Sequence, residues 1–160
     1  MSPQESAETL GQLLAEEAGA IALFVELLKR EQAQLSQGQT DELSALAEQK
    51  STLAARLQRL AGLRSDWLAS LGYSADRAGI ETWLQQHPQE TPVAASWAAI
   101  MTQAAEAREL NRLNGELIEL HLQHNARALN ALRGGEDSLD LYGPDGQSRT
   151  SGSTRINASA

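Results

Sequence analysis

One run constrains this chain more than any other. Leu43, Leu46, Lys50, Leu53, Leu57, Leu60, Arg64, Trp67 and Leu71 follow one another at steps of 3 and 4 without a break. Steps that alternate in this way keep side chains on one face of an α-helix. Held over four heptads, they describe a coiled-coil seam, in which Lys50 and Arg64 are polar interruptions suited to fixing register. Side chains of that kind usually lay their stems over apolar surface and leave the charge in water. A seam needs a partner helix, and the chain supplies one. Leu14, Ile21, Leu28 and Leu35 recur every seven residues, with Leu10 and Phe24 on an adjoining line.

The punctuation between these runs sets the topology. Ser2-Pro3-Gln4-Glu5 is a capping box with proline at the first helical position. Gly38 stands where a left-handed C-terminal residue is expected. The first helix is therefore predicted over 3–36. Thr40 or Asp41 can cap the second, and Gly72 closes it. So short a connection folds the two helices back as an antiparallel hairpin. Ser74 or Asp76 can cap a short third helix carrying Ile80, Trp83 and Leu84, placed to cover one end of the hairpin; Trp67 and Trp83 read as core. Thr91-Pro92 repeats the cap-plus-proline signal, and Gly134-Gly135 stops a long helix at Arg133. In that helix Leu110, Leu113, Leu117 and Leu120 share a face, extended by Leu122, Leu129 and Leu132. A second line, Asn111, Asn114, Ile118, His121 and Asn125, is mostly polar. A helix with more than one apolar line needs partners on more than one side.

Composition supports an all-α reading. There are 25 Leu and 26 Ala against seven Ile plus Val, and β-branched residues are the ones that favour pleated sheets. The expected fold is all-α. A long antiparallel hairpin, a short helix and a third long helix form a coiled-coil-like bundle over 1–134. A flexible tail follows over 135–160, with too little apolar matter to fold alone. Its one apolar cluster is Leu139-Asp-Leu141-Tyr142-Gly143-Pro144-Asp145-Gly146. Such a cluster reads either as a docking motif or as a turn packed back on the bundle.

Several function classes are disfavoured. The net charge of −8 opposes phosphate backbones, and the arginines (Arg56, Arg59, Arg64, Arg108, Arg112) are interleaved with acids, so no nucleic-acid partner is expected. No apolar run approaches the ~20 residues that span a bilayer, and the acidic N-terminus lacks the apolar segment of a secretory signal. The expected protein is soluble and cytoplasmic, with no membrane insertion. It has no cysteine, which removes disulfides and thiolate metal sites. His121 and His124 stand i, i+3, but the di-metal bundle pattern needs Glu three before His on two helices, and neither helix offers it. No phosphate loop or nucleophile elbow is present. The carboxylates read as solvated helix-face charge. No cofactor, no metal and no enzymatic activity are expected.

Two segments together resemble the FlgN family of flagellar export chaperones. One is Glu109-Leu-Asn111-Arg-Leu-Asn114-Gly115-Glu-Leu-Ile118, similar to the family's Asn-x-x-Asn-Gly-x-x-Ile pattern. The other is Leu141-Tyr142-Gly143-Pro144-Asp145-Gly146, similar to the Tyr-Gly-x-x-Gly element of the family's tail. The Leu-rich opening helix and Glu48-Gln49-Lys50 also fit, so the likeness spans nearly the whole chain; nothing in the family pattern explains residues 147–160. The resemblance implies a cytoplasmic chaperone of type III protein export in flagellum biogenesis. It would bind the C-terminal helices of hook-associated proteins one and three, the hook–filament junction proteins, and prevent premature assembly. Its tail would dock on the cytoplasmic domain of the export gate, a role that falls on Tyr142 and Gly143. The expected client-binding residues are Leu113, Leu117, Ile118, Leu120, Leu129 and Leu132. A long helix with spare apolar surface suits helix-in-groove capture of an amphipathic segment. The competing reading is a structural or adaptor coiled coil that homo-oligomerises through the same faces; self-association of client-free protein belongs to both.

Overall fold

The computed structural model describes residues 2–139, and of residues 3 and 135–139 the backbone alone. Four helices account for it: α1 (Pro3–Ser36), α2 (Leu43–Ser70), α3 (Arg77–Gln86) and α4 (Thr91–Leu139). There is no strand among the described residues. The chain divides into two units, Met1–Ile118 and Glu119–Ala160. Residues 91–118 of α4 belong to the first and 119–139 to the second.

Local chemistry explains the boundaries of α1. The Ser2 side chain accepts from the Glu5 amide at 3.2 Å, while the Ser2 amide donates to Glu5 Oε2 at 2.7 Å. This reciprocal pair satisfies donors that a helix start otherwise leaves open. At the other end Gly38 sits at φ +66° and Gly72, after α2, at φ +81°, where a Cβ would be strained. Asp76 caps α3 by accepting from the Gly79 amide at 3.3 Å. The turn before α3 is tight: a Cβ on Gly79 would lie 1.7 Å from the Ser74 carbonyl oxygen.

Three boundaries differ from those read in the sequence. Neither Thr40 nor Asp41 caps α2: the cap position is Glu42, with no side-chain cap bond. The Leu43 amide donates instead to the Thr40 carbonyl at 3.3 Å, so a backbone turn does the work assigned to a side chain. Thr91 lies inside α4 and not ahead of it, with the Ala94 amide donating to the Glu90 carbonyl. And α4 does not stop at Arg133 but continues through Gly134-Gly135 to Leu139. Glycine costs a helix about 1 kcal/mol relative to alanine and does not forbid it; the next proline is Pro144.

Within the first unit α1 and α2 pack on each other. Glu31 pairs with Lys50 and Glu17 with Arg64, so positions that advance along α2 retreat along α1, the order of an antiparallel pair. Residues 91–118 run beside α1 in its own direction: Val93 faces Gly11, Glu106 pairs with Lys29, and Asn114 bonds to Leu28 and Glu31. All four helices meet in one apolar cluster, which includes Leu10, Leu14, Trp67, Ile80, Trp83 and Trp97. Trp67 meets Trp83 edge-on with centroids 6.0 Å apart, and His87 stacks on Trp83 at 4.2 Å. A smaller cluster, Val25, Leu28 and Ala107, joins α1 to α4.

Candidate partner-binding surface

The seam of the first unit is interrupted by two polar clamps, each tying together α1, α2 and α4. In one, Glu31 Oε1 accepts from Lys50 Nζ at 3.3 Å and from Asn114 Nδ2 at 2.9 Å, and the same Asn114 amide donates to the Leu28 carbonyl at 2.9 Å. In the other, Arg64 donates to both oxygens of Glu17 at 3.1 and 3.2 Å, and its guanidinium lies 5.1 Å over the Trp97 ring. Glu17, Glu31 and Asn114 are buried. Lys50 and Arg64 therefore do not leave their charge in water, and these two carboxylates are not solvated helix-face charge. Burying an ion pair costs desolvation that its attraction only partly returns. The return here is geometric, because the bonds of each clamp form at one register of three helices. Burial, opposed by Arg64, raises the Glu17 pKa above its ordinary value.

The sequence held a signal for these partners. Leu10, Glu17, Phe24 and Glu31 fall on one seven-residue line of α1. Glu17 and Glu31 thus sit fourteen apart, as do Arg64 and Lys50 on the opposing seam. Matching two polar interruptions in one helix to two in the other would have found both pairs.

The structure separates the residues of the Asn-x-x-Asn-Gly segment. Asn114 is fully buried, whereas Asn111 and Gly115 are exposed. A Cβ on Gly115 would meet nothing within 4 Å. The apolar residues named from the sequence also divide. In the first unit Leu113 and Leu117 are half-buried and Ile118 is 40% exposed. In the second unit Leu120, Leu122, Leu129 and Leu132 keep between 57% and 68% of their surface in solvent. At about 100° per residue, Leu122, Leu129 and Leu132 fall within roughly 80° of one another on α4, while Leu120 faces another side. Tyr142 and Gly143 lie outside the described residues. Among the described residues no three His, Asp or Glu side chains gather as a metal-ligand set, and no helix is long and apolar enough to cross a membrane.

With four helices, no strand among the described residues and two buried polar clamps, the protein is of the all-α class. Comparison with known proteins is more specific. The family model described as FlgN protein matches residues 1–150. The Flagella synthesis protein FlgN of Salmonella typhimurium is 31% identical over 125 residues, covering 78% of this chain and 79% of that protein. Its namesake in Escherichia coli is 27% identical over 143 residues, covering 88% and 91%. The chain belongs to the FlgN family. No solved structure gives a significant match.

Proposed function

We propose that the protein is a cytoplasmic type III export chaperone of flagellum assembly. It binds the C-terminal segments of hook-associated proteins one and three, keeps them from assembling early, and delivers them to the export gate through Tyr142 and Gly143. The observation that carries the reading is the exposure of Leu122, Leu129 and Leu132 on one side of α4. Fully burying a leucine contributes about 1.5–3 kcal/mol, and Leu122, Leu129 and Leu132 each have more than half of their surface left to cover. An amphipathic client segment that folds as it binds could cover them, offsetting its ordering entropy with that burial. Family membership and the name carried by the relatives supply the flagellar context. The activity is binding and not catalysis.

The test is export from a motile host that lacks the protein. Hook-associated proteins one and three should fall in the culture supernatant and recover when the protein is returned. Unchanged export of both would refute the proposal. Light scattering addresses the adaptor reading: a stable oligomer that a client C-terminal peptide leaves intact would favour a structural coiled coil.

A further inference from the structure

The two clamps bracket a stretch of the first unit where the helices part. Between them Ile21 and Phe24 of α1, Leu57 of α2, and Ala104 and Ala107 of α4 line a groove of about 280 Å³. Ile21 and Ala107 are buried in its floor, while Phe24, Leu57 and Ala104 stay half-open to solvent. The groove has room for a single large aliphatic or aromatic side chain, and none of the described side chains fills it.

The charge around it is unlike that of the whole protein. Along residues 18–30, 51–63 and 98–113 there are six Lys and Arg against three Glu, in a chain of net charge −8. All three glutamates are already paired: Glu26 and Glu106 with Lys29, and Glu109 with Arg112. Arg108, in the groove wall, has no carboxylate partner among the described residues, and neither do Arg30, Arg56 and Arg59. The sequence reading of arginines interleaved with acids missed this, because pairing removes the acids and leaves the cations.

We infer that this groove is a docking site for an acidic amphipathic segment of a partner protein, which seats one large apolar side chain between Phe24, Leu57 and Ala104 and sets its carboxylates against Arg108. The apolar anchor supplies most of the affinity, since buried anchors dominate interfaces. The cations steer the encounter and reject basic segments. A nucleic acid would use the arginines but leave the apolar groove empty. The inference uses residues of the first unit alone and stands independently of client binding by Leu122, Leu129 and Leu132.

The experiment titrates the full chain with two fluorescent synthetic peptides that share the same Leu and Phe anchors, one flanked by Glu and the other by Lys. A single-stranded oligonucleotide is the third probe. The Glu peptide should bind about tenfold or more tighter than the Lys peptide, and salt should weaken it. Arg108→Glu, at an exposed position, should weaken the Glu peptide by about tenfold with unchanged helical circular dichroism, and Arg108→Lys should restore most of the loss. Ala104→Phe, which fills the groove from its wall, should abolish the binding. Equal binding of the two peptides would overturn the inference, as would indifference to Arg108→Glu. Oligonucleotide binding as tight as that of the Glu peptide would overturn it too, by assigning the surface to phosphate chains.

Discussion

Asn114→Ala tests the clamp that ties α4 to the hairpin helices. The substitution removes two hydrogen bonds of 2.9 Å, one to the Leu28 carbonyl and one to Glu31 Oε1. The neutral bond contributes about 1 kcal/mol and the charge-assisted one about 1.5–3 kcal/mol. One term opposes them. Asn114 Oδ1 is buried with no partner among the described residues, and removing an orphaned acceptor returns about 1–3 kcal/mol. The expected net loss is about 1 kcal/mol, or roughly 4 °C in melting midpoint for a unit near this size. Asn111, the other asparagine of the same segment, is exposed, so Asn111→Ala should stay within about 0.5 kcal/mol. Urea and thermal unfolding followed by circular dichroism give both values. A double-mutant cycle with Glu31→Ala should then show coupling of about 1 kcal/mol or more, because the two side chains share a bond. Equal effects of the two asparagines, or strict additivity with Glu31→Ala, would refute the reasoning.

Further outcomes follow from single positions. Gly115→Ala should stabilise the helix by about 0.5–1 kcal/mol, since nothing lies within 4 Å of the added methyl, whereas Gly79→Ala should destabilise markedly because its Cβ meets the Ser74 carbonyl; chemical melts check both. The Glu17 carboxyl is raised in the folded state, chiefly by burial. The folded chain therefore holds that proton more tightly than the unfolded one, and this contribution to stability is present at low pH and declines as pH rises through the window above the ordinary value of 4.5. Glu17→Gln should flatten that part of the stability profile in melts run across the window. Tyr142 is the one aromatic residue after Trp97; Tyr142→Ala should leave the melting midpoint and client binding unchanged while weakening docking to the gate's cytoplasmic domain by roughly thirtyfold, as loss of an aromatic anchor worth about 2 kcal/mol does. A titration with that domain checks it.

The elements were legible because their signals are local. The Ser2–Glu5 capping box, the positive-φ glycines Gly38 and Gly72, and the heptads of α1 and α2 each act within a few residues, and the helices follow them. The misread boundaries are the places where a local rule is weak. The Gly134-Gly135 pair lowers helix propensity without ending α4, and a backbone turn starts α2 without Thr40 or Asp41. The clamps were half legible. Lys50 and Arg64 stand out of the seam as charges and match Glu17 and Glu31 in spacing, but that Asn114 donates to Glu31 depends on which faces of three helices meet. Periodicity placed Leu113, Leu117 and Leu120 on one line, yet not which of them the fold covers. Leu113 and Leu117 are half-buried and Leu120 is exposed, a difference set by where packing ends along α4. Arg108 was read with its acidic neighbours, and only the pairing of Glu106 and Glu109 elsewhere leaves it without a carboxylate partner among the described residues.

Client capture by the second half of α4 is tested most directly by a calorimetric titration. The full chain and a Leu122→Asp, Leu129→Asp variant are each titrated with the isolated C-terminal segment of hook-associated protein one. Both positions are exposed, so the variant should keep its helical spectrum and melting midpoint. The account predicts that the unaltered chain binds the segment, with a heat-capacity decrease that reports apolar burial, and that the variant binds at least about tenfold more weakly. A segment that does not bind the unaltered chain, or that binds the variant equally well, would contradict it.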